Sequence, residues 1–163
     1  MRERITFLAA GLCAALLIVG AFLFFTRGGH MRIEGRILKV RTHPADESST
    51  VAIVDFRFAN PAAYTWMVKK VDVVCDMKDG STIESTTVSD MDATRLLDYF
   101  KELGGKYNDT LRVRDKIPAG QSWDRMVAAR FEVPESKIEQ RSRFRLRVQE
   151  SDGNISELVE GPR

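Results

Sequence analysis

The chain has 163 residues and 18.4 kDa, with 44% hydrophobic and 29% charged residues, a mean hydropathy of −0.23 and a formal net charge of +2. That length holds one domain of ordinary size, and two cysteines exclude a disulfide-stapled scaffold. The near-neutral charge argues against nucleic-acid binding through a bulk positive field, but the averages conceal two unlike parts, because residues 1–25 hold 19 of the 71 apolar residues.

A tail, residues 1–4, carries Arg2 and Arg4. Residues 5–25 (ITFLAAGLCAALLIVGAFLFF) follow without a charge. As a helix this run spans about 31 Å at roughly 1.5 Å per residue, the thickness of a bilayer's hydrocarbon core. It predicts an N-terminal transmembrane helix with the lipid bilayer as its partner. A cleaved signal peptide is the competing reading, since Val19-Gly20-Ala21 loosely fits a cleavage site. The apolar run continues through Phe25, however, beyond the roughly 7–15 residues of a cleavable core, and an uncleaved anchor is the expectation. Arg27, Arg32, Arg36, Lys39 and Arg41 follow the helix, and a literal positive-inside count would keep the domain in the cytoplasm. Large downstream domains translocate regardless of such charges. The expectation is therefore a single-pass membrane protein with an extracytoplasmic, periplasmic domain.

Residues 26–31 form a linker, and period-two patterning begins after it. Met31–Arg41 reads as a strand with a phase change near Gly35, which predicts a bulge there. His43-Pro44 and Ala45–Ser49 read as a loop. Val51–Asn60 places Val54, Phe56 and Phe58 on one face and Asp55 and Arg57 on the other, and Asn60-Pro61 ends it. Tyr64–Met77 is extended, as one strand or as two around Lys69-Lys70, with Val71, Val73, Cys75 and Met77 on one face. Asp79-Gly80 is a hairpin turn into a strand over Ser81–Val88.

Asp90–Leu103 breaks the pattern. Ala93, Leu96, Leu97, Phe100 and Leu103 recur at helical spacing, Ser89 or Asp90 can cap the start, and Gly104-Gly105 stops the run. This predicts a helix inserted between strands, with the insertion covering residues 89–115. Pro118-Ala119-Gly120 is a turn. Trp123–Val133 reads as a strand with Val127, Ala129, Phe131 and Val133 inward, and Pro134–Gln140 as a helical turn. Arg143–Glu150 alternates Phe144, Leu146 and Val148 with Arg143, Arg145, Arg147 and Gln149, before a turn at Asp152-Gly153 and a short strand from Ile155 to Leu158. About seven short strands in residues 32–160 predict a mainly β domain, an antiparallel β-sandwich with one inserted α-helix.

The segments VDFRFANP, VDVVCDMKDG, IPAGQSWDRMVAARF and FRLRVQESDG together resemble the immunoglobulin-like modules of the late-embryogenesis-abundant type 2 (water-stress) class and the bacterial FxLYD class. The shared features are an Asn-Pro break after an early strand, a D-G hairpin, and a Pro-Gly turn before a strand ending in an aromatic. The resemblance covers roughly residues 33–153. It implies an immunoglobulin-like, non-catalytic, often membrane-tethered extracytoplasmic sandwich, and it carries over no catalytic residues.

The search for chemistry yields no catalytic, metal or cofactor assignment. His30 and His43 lack ligand-type neighbours at metal spacing, and no nucleophile elbow, phosphate loop or dinucleotide fingerprint is present. Asp90, Asp92 and Asp115 offer a weak alternative, a hydrolytic enzyme with an acidic site. Cys75 reads as a buried thiol; a face assigned wrongly would instead expose it to intermolecular disulfide formation. Arg141, Arg143, Arg145 and Arg147 share a strand face about 7 Å apart. They form either a solvated face balanced by cross-strand acids or a contact for anionic groups. Tyr99 and Tyr107, near the inserted helix, are candidates for a partner contact. The functional expectation is a binding or structural adaptor of the cell envelope with a protein partner and no nucleic acid. A lipid or small apolar ligand held by the sandwich is the alternative.

Overall fold

A computed structural model of the protein describes residues 32–161 and, before them, Val19 alone. Apart from that residue, the tail 1–4, the expected membrane segment 5–25 and the linker 26–31 lie outside the described residues. Among the described residues, no helix is long and apolar enough to cross a membrane.

Among the described residues nine strands, β1 (Glu34–Asp46), β2 (Ser49–Ala59), β3 (Trp66–Met77), β4 (Thr82–Glu84), β5 (Thr86–Thr87), β6 (Lys116–Ile117), β7 (Ser122–Phe131), β8 (Arg141–Glu150) and β9 (Ile155–Val159), form two antiparallel sheets. One sheet has the order β1-β2-β7-β5 and the other β4-β3-β8-β9, with β6 added beside β3. Helix α1 (Asp90–Tyr99) lies between β5 and β6, and the short α2 (Glu135–Glu139) between β7 and β8. The expected mainly β architecture with an inserted helix is what the chain adopts.

The inward rows alternate as the pattern requires. Val54, Phe56 and Phe58 of β2, Val127, Ala129 and Phe131 of β7, Val71, Val73, Cys75 and Met77 of β3, and Phe144, Leu146 and Val148 of β8 make one core between the sheets. Cys75 is fully buried in it, 3.9 Å from the Met77 sulfur.

Several expectations are corrected, chiefly by bulges. The phase change in β1 falls at Leu38, between the pairs Ile37–Phe56 and Lys39–Asp55, not at Gly35. Gly35 has a different reason: a Cβ there would lie 2.2 Å from the Arg57 carbonyl oxygen and 2.8 Å from the Phe58 Cα. The predicted loop 43–49 is also mostly strand. β1 runs on to Asp46, and Pro44 is tolerated because β1 is an edge strand with a second register shift before Asp46. Tyr64–Met77 is one strand from Trp66, and its extra residue, Lys69, keeps Trp66 and Val68 on the same inward side as Val71 and Val73. Ser81–Val88 is not one strand. Thr82–Glu84 pairs with β3 and Thr86–Thr87 with β7, and the chain changes sheets at Ser85, whose N–H and hydroxyl both donate to the Val73 carbonyl.

Gly35→Ala tests the close approach of β1 and β2. Two backbone clashes cannot be relieved by a rotamer change, so the substitution costs about 1–3 kcal/mol of stability in urea unfolding. An unchanged midpoint would show that β1 shifts freely on its neighbour.

Candidate functional site

On the face of β2 opposite Val54, Phe56 and Phe58, the residues Val51, Ile53 and Asp55 are buried together with Met126 and Ala128 of β7. Helix α1 covers them with Ala93 and Leu97, and Leu103 completes this second apolar cluster. The helix is shorter than expected: it ends at Tyr99, and a 3₁₀ turn, Lys101–Leu103, carries the last stripe residue inward. Ser89 caps its start, its hydroxyl accepting the Asp92 N–H at 3.2 Å, and the acids Asp90 and Asp92 occupy the positive end.

The return segment is pinned by a polar network that sequence reasoning missed. Arg41 of β1 and Asp55 of β2 form an ion pair at 2.8 Å, with side chains 9% and 5% exposed. The Arg41 guanidinium also donates to the carbonyls of Leu103 and Gly105 and lies 5.0 Å from the centre of the Tyr107 ring. The other Asp55 oxygen accepts from the Asn108 amide at 2.9 Å. Lys106 reaches back to Asp90 at 2.8 Å, and residues 109–111 then rejoin the sheet beside Met126. One visible signal was the unbroken VAIV run ahead of Asp55, the pattern of a strand buried on both faces.

Beside α1 lies a groove of about 590 Å³. Its walls include Ala45, Val51, Val88, Leu96, Tyr99 and Phe100, and Asp46, Asp92, Arg95 and Arg130 stand at its rim. Phe100 sits between two rings, with His43 and Tyr99 each 4.8 Å away by centroid. Tyr99 is 79% exposed and Tyr107 67%. The rim charges pair locally, Arg130 with Asp46 at 3.2 Å and Arg95 with Asp92 at 3.3 Å. Hydrogen bonds from Ser49 and Ser48, with Arg130 nearby, lower the Asp46 carboxyl to about 2.

The arginine row is corrected in one member. Ser142 is an extra residue in β8, so Arg141 faces the same way as Met77 and is buried. Its guanidinium binds the Glu160 carboxylate through two contacts of 3.2 Å and stacks 4.3 Å from the Phe144 ring. Arg143, Arg145 and Arg147 do share the outer face, interleaved with acids. Arg143 and Arg145 hold Asp76 at 3.1 and 2.7 Å, and Arg145 and Arg147 hold Glu157 at 3.2 and 2.8 Å. Burial raises the Asp76 carboxyl, and the bonds from Arg145 and Arg143 outweigh that and set it below its ordinary value. The guanidinium forks are thus engaged by carboxylates of the same sheet, and Tyr99 and Tyr107 are not in this ladder.

The acids of the enzymatic alternative also have local roles. Asp90 binds Lys106, Asp92 completes the helix cap and Arg95 pair, and Asp115 binds the Arg112 N–H at 2.8 Å. A second opening, a cleft of about 700 Å³, lies between Lys70–Asp72 of β3, Ser85–Asp90 and Thr110–Val113, with the core residues Val71 and Leu111 among its lining.

Removing Asp55 while Arg41 stays leaves a buried cation unpaired, so Asp55→Ala costs about 3–5 kcal/mol in urea unfolding. The double variant Arg41→Met/Asp55→Leu recovers most of that loss, and strictly additive losses would contradict the pairing. Comparison of the chain with protein-family models, with curated proteins and with solved structures returns no match.

Proposed function

We propose that this chain is a non-catalytic binding module of the cell envelope, tethered by residues 5–25 and displayed on the extracytoplasmic side. The strand orders β1-β2-β7-β5 and β4-β3-β8-β9 correspond to the A-B-E-D and C′-C-F-G sheets of an immunoglobulin-like sandwich. That correspondence supports the resemblance drawn from the turn and strand motifs. The contact surface is the groove beside α1, and a protein partner docks there.

The observation that carries this reading is Tyr99. It stands 79% exposed beside an apolar groove, on a helix whose other face is anchored in the second apolar cluster. A large amphipathic ring held on a rigid element beside an apolar recess is the usual form of an interface anchor. The arginine ladder is a weaker candidate because its charges are already matched within the sheet. Tethering the module to a bilayer raises the local concentration of such a contact.

The cleft between the edges of the two sheets supports a second reading, uptake of a single-chain apolar ligand. Its volume falls within the range of small-molecule sites, and it reaches Val71 and Leu111 of the core. Saturable uptake of a fluorescent fatty acid, weakened by Val113→Arg at the rim, is its expected result; no uptake removes it.

The docking reading is tested by crosslinking in native membranes and identifying the co-purified proteins. Tyr99→Ala lowers recovery of the crosslinked partner, with an affinity loss of about ten- to thirtyfold, while Arg143→Gln/Arg145→Gln leaves it unchanged. Equal recovery with Tyr99→Ala overturns the groove as the contact surface.

A further inference from the structure

At the opposite end of the inward row of β8, the core finishes on a carboxyl group. Glu150 follows Phe144, Leu146 and Val148, faces Val68 of β3, and is 4% exposed. One of its oxygens, Oε2, is buried without a hydrogen-bond partner among the described residues, and so is the indole nitrogen of Trp66, fully buried two residues before Val68. Asp152, two residues on in the β8–β9 turn, bears on this carboxyl through its charge. A carboxyl so buried, with one oxygen unpartnered, favours its neutral, protonated form over its charge.

The turn closes beside this carboxyl. Glu150 N–H donates to the Asn154 carbonyl at 2.8 Å, Gly153 N–H donates to the Glu150 carbonyl at 3.0 Å, and Ser151 N–H ties the turn to Met67 of β3 at 3.1 Å. Asn154 donates to Asp152 through its backbone and its amide. Two residues further on, the buried Ser156 accepts the Ile33 N–H at 2.9 Å, fixing the point where the chain joins the domain.

We propose that the buried Glu150 is a proton-operated latch that closes the β8–β9 turn and, through Ser156, holds the start of the domain at Ile33. In the closed form burial, reinforced by the Asp152 charge, raises Glu150 from its ordinary 4.5 to about 7. The groups around it offer no compensating cation. Lys70 of β3 is engaged by Asp72, while Lys69 of β3 and Lys116 of β6 make no ion pair with Glu150. Tyr64, in the turn before β3, is itself raised by burial and by the charges of Glu150 and Asp152. Glu157 of β9 is held by Arg147 and Arg145 on the outer face. The closed form therefore holds its proton up to about pH 7, whereas an opened turn releases it near 4.5. Closure is fully favoured at low pH and weakens as pH rises through about 7, when the proton leaves to solvent and the carboxylates repel.

The test is hydrogen exchange read by mass spectrometry on the full chain in detergent micelles at pH 6.0 and 8.5, corrected for intrinsic exchange rates. With Glu150 at about 7 closed and 4.5 open, the opening constant rises about tenfold between these conditions. Fragments covering 150–156 and the one carrying the Ile33 amide lose protection accordingly, and those from β2 and β7 do not. Glu150→Gln keeps the shape of the side chain without a titrating charge and abolishes the dependence. Asp152→Asn removes the repulsion and leaves the burial, so it weakens the dependence without abolishing it, and carries the test if Glu150→Gln fails to fold. Protection that is constant with pH in the parent protein, a dependence that survives in folded Glu150→Gln, or one that is undiminished in Asp152→Asn, overturns the latch.

Discussion

The Arg41–Asp55 ion pair fixes what the outer face of the β1-β2-β7-β5 sheet presents. Without it the 89–115 insertion would be joined to the sheet by one apolar stripe at its start and by the strand-edge contacts of residues 109–111. With it, Asp55 holds Arg41 and Asn108, and Arg41 holds the carbonyls of Leu103 and Gly105. One carboxylate thereby ties both ends of the return segment to adjacent strands. A pair so little exposed is held by several partners on each side, although the Arg41 Nε is buried without one among the described residues. The helix can then keep a rigid exposed face, which is the condition for Tyr99 to act as a docking element.

This arrangement divides the domain into surfaces of different character. The outer face of β3 and β8 is closed electrostatically. Its arginines and acids alternate across strands, and Val74, opposite Arg145 in register, is buried beneath them. The outer face of β2 and β7 is closed by the helix, and the gap left between helix and sheet is the groove. The turn at Glu150 sits apart from both, at the end of the sandwich where Ile33 is tied down. Docking and the proposed proton latch therefore use different elements and can be perturbed independently.

Much of the domain was legible in the sequence because period-two alternation is local. The inward rows of β2, β3, β7 and β8 follow from it directly, as do the Asp79-Gly80 and Asp152-Gly153 turns, where Gly80 and Gly153 adopt φ of 86° and 101°. The helical stripe was equally plain, with a cap at Ser89 or Asp90, of which the chain uses Ser89. Single-residue bulges were not legible, since an extra residue shifts the phase without changing composition. Leu38, Lys69 and Ser142 are such residues, and Ser142 is the reason Arg141 leaves the exposed row. The partners of Asp55 were hidden for another reason. Arg41 and Asn108 are 14 and 53 residues away in the chain, and nothing in local spacing brings them together.

The most direct measurement of the clamp is site-resolved hydrogen exchange on the full-length Asp55→Asn variant. If Asp55 holds the insertion, amides of residues 93–108 exchange at least about tenfold faster than in the parent protein, as a local opening, while those of β3 and β8 keep their protection. Protection that falls equally across both sheets, or an insertion that exchanges as slowly as before, would contradict the account.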